Sequence, residues 1–171
     1  MKMNSRIKTL IIRYLLWVAV LAVMLFIFSS SAQIAEVSSE SSGGFTRVFL
    51  SVFVEDFDEM SHEKQQELVD SLQFVVRKGA HFSVYFVLGS LCFFAMNTYS
   101  IKTKQKAYIS ILISLIYAIS DEIHQIFVPG RAGRITDVFI DLAGILTGVG
   151  LSLLSIKIAV KIIKMKKRKA L

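Results

Sequence analysis

The sequence predicts an all-α integral membrane protein, with four transmembrane helices and one or two surface helices on the extracytoplasmic side. Three observations predict it. Hydrophobic residues make up 54% of a 171-residue chain that contains a single proline, which is too apolar for a soluble domain of this size. Four segments are each rich enough in apolar residues to satisfy the requirement of about 20 helical residues for crossing the hydrocarbon. Charge is also segregated: most of the 20 basic residues lie in Met1 to Arg13, Lys102 to Lys106 and Lys157 to Lys169, which hold none of the 13 acidic residues.

The first span is Leu10 to Phe28. Its basic start and the small residues Ser30, Ser31 and Ala32 resemble a secretion signal, but the apolar core is long for that role and a retained helix is expected. The extracytoplasmic segment, about residues 29–78, opens with Ser29 to Gly44, whose SSESSGG stretch reads as a linker or surface loop. Phe45 to Val54, FTRVFLSVFV, is too short to cross and is expected to lie on the outer leaflet or against the bundle. SHEKQQELVDSLQFVV then reads as a surface helix capped by Ser61, with Leu68, Val69, Leu72, Val75 and Val76 on its apolar side.

The remaining spans are Gly79 to Asn97, Ala107 to Val128 and Asp137 to Ile156, followed by a basic tail over residues 157–171. By the positive-inside rule both termini and the Lys102 to Lys106 loop are expected to be cytoplasmic. The whole chain forms one membrane domain. The net charge of +7 is then a matter of juxtamembrane lysines near anionic lipid, and without a nucleic-acid module no nucleic-acid partner is expected. Cys92, the single cysteine, sits in an apolar run and reads as a small buried side chain.

Three spans carry polar stripes at one end. Lys78, His81 and Tyr85 recur at i, i+3 and i+7; Tyr117, Asp121, His124 and Gln125 share a face, bordered by Ser120, with Glu122 turned about 100° from Asp121; Asp137, Asp141, Gly144 and Gly148 follow on the last span. His81 and Asp141 lie about 3 to 6 Å inside their helix ends and Asp121 about 10 Å. Carboxylates facing lipid are costly, so the stripes are expected to meet inside the bundle, with Arg77, Lys78, Arg131 and Arg134 matching Asp121, Glu122, Asp137 and Asp141. Pro129-Gly130 supplies a turn, Gly133 lets the connection fold back, and GILTG offers a small-residue contact surface.

Two chemistries suit such a site. One is a pocket for an anionic headgroup, held by Arg77, Lys78 or Arg131. The other is an intramembrane hydrolase or transferase using His81 or His124 as acid or base, oriented by Asp121, Glu122 or Asp141. Ser120 makes a poor nucleophile beside a histidine on its own helix. A metal site built from His81, His124 and acidic residues is conceivable, because imidazole and carboxylate suit zinc. No HExxH or metal-binding cysteine pattern is present, however, and Glu122 and His124 make a poor same-face pair, so neither a metal nor a cofactor is expected. Proton-coupled transport lacks a relay to the other side and would require an oligomer.

Lys78-Gly79-Ala80-His81 with Tyr85, then Ser120-Asp121-Glu122, Gln125, Pro129 and Arg131, with Asp137 downstream, resemble the VanZ-like family; Phe28 to Gln33 also resembles its pattern. The likeness runs from the first span through the fourth. It implies a multi-pass membrane protein of a bacterial, Gram-positive cell, with the motif residues on the extracytoplasmic side. It also implies protection of some members against lipoglycopeptides such as teicoplanin, and as partners membrane lipids, a lipid-linked cell-wall precursor or a glycopeptide. Where members often carry Asn four residues after the downstream aspartate, this chain has Asp141.

Overall fold

A computed structural model of the protein describes residues 4–33 and 35–169. Five α-helices follow in order: α1 (Ser5–Ser31), α2 (Ala35–Phe53), α3 (His62–Asn97), α4 (Thr103–Ile126) and α5 (Ile135–Lys169), with a 3-10 turn at Phe57–Glu59 before α3. Four of them, all but α2, are long and apolar enough to cross a membrane, and their apolar residues face outward as lipid requires: Leu21, Leu25, Ile116 and Leu151 are all exposed. The buried core between the helices is made by Leu88, Cys92, Phe93, Ala118, Ile145 and Val149.

The tightest packing joins α3 to α5, and glycine is what permits it. A Cβ on Gly144 would collide with the backbone carbonyl of Phe82, one on Gly148 with that of Phe86, and one on Gly89 would come within 2.9 Å of the Ile145 carbonyl. The GILTG stretch therefore lies against α3 backbone to backbone, the close approach that small residues make available in a membrane bundle. Contacts at the far end pin α1 beside the end of α3: Arg13 donates to the Thr98 hydroxyl and carbonyl at 3.0 and 2.8 Å, and Trp17 donates to the Tyr99 hydroxyl at 3.2 Å.

The segment before α3 differs from its expectation. Ser29 to Gly44 is not a linker, because α1 runs to Ser31 and most of the serine-rich stretch belongs to α2, which continues through FTRVFLSVF as one helix. Propensity disfavours SSESSGG as helix, but tertiary contacts outweigh it. Gln73 donates to the Ser42 hydroxyl at 2.8 Å, Gly43 lies against Val69, and Leu50 joins Phe57 and Val69 in a small second core.

The predicted surface helix and the second span are a single helix, α3, of 36 residues, about 54 Å long at 1.5 Å per residue. Ser61 occupies its N-cap position with no side-chain capping bond. Of the predicted apolar side, Val69 is buried against α2, whereas Val75 is 61% exposed. Every span also extends beyond its predicted start, and α5 continues well past Ile156 as helix into the basic tail.

Candidate functional site

At the end of the bundle where α1 and α4 finish and α5 begins, the polar stripes converge. Lys78 on α3 forms an ion pair with Asp137 in the first turn of α5. His81, one turn deeper, places Nδ1 3.3 Å from Oδ1 of Asp141, and Asp141 is fully buried. On α4, Oδ2 of Asp121 accepts from the Ser31 hydroxyl at 2.9 Å and from Nε2 of Gln125 at 3.1 Å. Glu122, on the adjacent face, accepts the backbone N–H of Arg134 at 2.8 Å.

The loop between α4 and α5 closes this end. Gly130 takes φ 74°, a left-handed value that glycine adopts without cost, and the Arg131 N–H bonds the Val128 carbonyl at 3.1 Å to complete the turn. Gly133 packs on the Glu122 carbonyl so closely that a side chain would collide with it. Arg131 reaches back to α1, donating to the Ser30 carbonyl at 3.3 Å. Burial, and then the nearby charge of Arg77, hold its guanidinium below the ordinary arginine range, while Asp121 and Glu122 pull it back up; it stays charged at any physiological pH.

The pairing departs in part from expectation. The bonds that hold Glu122 and Asp141 come from a backbone N–H and an imidazole, not from the fork of Arg134, which is exposed. Sequence balance of charge does not reveal this, because a loop that folds over helix ends brings its backbone into reach as well as its side chains.

A cavity of about 700 Å³ opens between α1, α2 and α3. Arg77, His81, Tyr85, Asp121 and Arg131 are among its polar lining residues, and Phe26, Phe45 and Phe49 among its apolar ones. Lys78 with Asp137, and Glu122, Gln125 and Asp141, stand outside this lining. Two predicted residues stand elsewhere. Ser120 is exposed and donates to the Tyr117 carbonyl at 2.7 Å. His124 is stacked on Phe28 with ring centroids 4.6 Å apart, so it holds α1 to α4 rather than facing the cavity.

The sequence reading missed Ser31, which satisfies Asp121, and the α2 residues Ser42, Phe45 and Phe49, which wall the cavity. The Phe28 to Gln33 pattern was a signal for the first; α2 carried none, since its helix depends on α3. Among the described residues, several buried oxygens have no hydrogen-bond partner, including the Tyr85 hydroxyl, Oδ1 of Asp121, Oε1 of Glu122 and Oδ2 of Asp141. Each such group costs about 1 to 3 kcal/mol of desolvation, more when charged. They gather where His81, Glu122 and Asp141 each bring one ligand-type atom within 4.8 Å of the others.

A four-span helical bundle with a buried acidic and basic cluster at one end, opening to an amphipathic cavity, defines a multi-pass membrane protein with a polar site set into its wall. A family model described as VanZ/LLP1 matches residues 16–157, and the chain belongs to that family. Comparison with curated proteins and with solved structures returned no match.

Proposed function

We propose that the cavity receives the anionic headgroup of an envelope lipid or lipid-linked cell-wall precursor. The observation that carries this reading is the mixed lining of the cavity: two arginines, Arg77 and Arg131, and the phenylalanines Phe26, Phe45 and Phe49 line the same space. A guanidinium binds phosphate or carboxylate through paired hydrogen bonds, and phenylalanine rings suit the first segment of an acyl or prenyl chain. Asp121, fixed by Ser31 and Gln125, has a further buried oxygen for a sugar or amine donor.

In this reading the protein sits in a bacterial cell membrane with both termini cytoplasmic, following the basic termini and Lys102 to Lys106, and the cavity faces the outer leaflet. Occupying or shielding such headgroups lowers susceptibility to lipoglycopeptides such as teicoplanin, which act at that surface. Binding is favoured over a reaction built on Ser120 or His124, because Ser120 faces outward and His124 is packed on Phe28; turnover by His81 with Asp141 is the alternative, and loss of a turnover in His81→Ala would reveal it.

The test is native mass spectrometry of the detergent-extracted protein. A co-purifying anionic lipid is expected on the wild type and on Arg134→Ala, an exposed loop control, and is expected to be lost from Arg131→Ala. Equal lipid retention by Arg131→Ala overturns the reading, as does loss of teicoplanin protection from neither Arg131→Ala nor Asp121→Ala in a strain that the wild type protects.

A further inference from the structure

We propose that His81, Glu122 and Asp141 form a binding site for a divalent transition cation, with zinc or manganese as the matching class. The three residues come from α3, α4 and α5, and their ligand-type atoms all lie within 4.8 Å of one another. The 3.3 Å between His81 Nδ1 and Asp141 Oδ1 equals the ligand-to-ligand edge of a tetrahedral site, about 3.3 to 3.4 Å for metal bonds of about 2.0 to 2.1 Å. Drawing in the third atom, within 4.8 Å of the others, takes a shift of at most about 1.4 Å, within reach of a glutamate side-chain rotation.

An independent observation points to a ligand at this place. Oε1 of Glu122 and Oδ2 of Asp141 have no partner although their residues are only 5% and 0% exposed, and the hydroxyl of the wholly buried Tyr85, one turn from His81 on α3, has none either. Carboxylate oxygens so placed call for a proton, an ordered water or a cation. Neighbouring groups leave the choice open to the cation: Lys78 is engaged with Asp137, and Asp121 with Ser31 and Gln125. One imidazole with two carboxylates is the donor set of transition-metal sites; magnesium and calcium prefer oxygen alone.

His81 also lines the cavity, so a cation held by it would stand beside that space. Cation binding does not depend on the headgroup reading, and its test uses no lipid. The full chain, purified in detergent and stripped with chelator, is dialysed against zinc and analysed for metal, and separately titrated with cobalt(II) while its visible spectrum is followed.

Wild type and His62→Ala, which removes an exposed histidine outside the site, are expected to retain a single equivalent of zinc. Glu122→Gln, Asp141→Asn and His81→Ala are expected to bind at least about tenfold more weakly. The cobalt(II) protein is expected to show the intense visible bands of a low-coordinate site. Folded wild type that retains no zinc and gives no cobalt spectrum overturns the proposal. So does undiminished retention by the folded Glu122→Gln and Asp141→Asn proteins, which would mean that the metal binds elsewhere. If a variant fails to fold, the wild-type cobalt spectrum alone decides.

Discussion

His81 on α3 and Asp141 on α5 meet at 3.3 Å, and the aspartate side chain is wholly out of solvent. The meeting depends on the glycine contact directly beneath it. Gly144 lies one turn past Asp141, and its lack of a side chain lets α5 rest on the Phe82 carbonyl, beside His81. Polar pairing and close backbone packing are thus two parts of one interface, and variants at either should loosen it.

Gly144→Val and Gly148→Leu are expected to force α3 and α5 apart. Overpacking of this kind costs about 1 to 3 kcal/mol, read as a fall in the thermal midpoint of the detergent-solubilised protein. Gly150→Ala on the same helix, where nothing lies within 4 Å of an added Cβ, should leave the midpoint unchanged or raise it slightly.

Lys78→Ala removes the partner of Asp137, a side chain only 10% exposed. An uncompensated charge left at such a site is expected to destabilise by about 3 kcal/mol, the lower end for broken buried pairs. The double variant Lys78→Met with Asp137→Leu should recover most of that loss. A double-mutant cycle by thermal denaturation measures both.

Ser31→Ala withdraws the 2.9 Å donor from Oδ2 of Asp121. Loss of about 1 to 3 kcal/mol is expected for a buried carboxylate deprived of a hydrogen bond. Because Ser31 is the last residue of α1, the end of α1 should become more accessible: hydrogen exchange at Ile27 to Ser31 is expected to quicken, while the Arg13 to Thr98 end stays protected.

The orientation inferred from charge gives a direct labelling result. In a Cys92→Ala background, cysteine placed at Asp58 in the 3-10 turn should react with a membrane-impermeant maleimide on intact cells. Cysteine at Lys102, at the opposite end of the bundle, should react only after lysis. The reverse pattern removes the outer-leaflet assignment of the cavity.

The spans were legible in the sequence because lipid enforces long apolar helices, and the motif residues were legible because charges inside such helices must find one another. His81, Tyr85, Asp121, Arg131 and Asp141 could be placed at one end by counting residues along helices. Not all of the pairings in this cluster could. Glu122 is held by a backbone N–H of the loop, and α2 is helical through glycine and serine only because Gln73, Val69 and Phe57 receive it. Such contacts join residues distant in the chain, and no local pattern records them. His124 shares a stripe with Asp121 by periodicity, yet α1 places Phe28 against it, which depends on how neighbouring rods are arranged around α4.

The unbroken course of α3 ties two parts of the molecule mechanically. Its opening turns carry α2, which walls the cavity, and the same backbone cylinder continues down to Lys78, His81 and Tyr85. A tilt of those opening turns that left the helix straight would swing the imidazole relative to Asp141. The segment that seats α2 and the one that seats the His81–Asp141 pair thus share a single lever, the axis of α3.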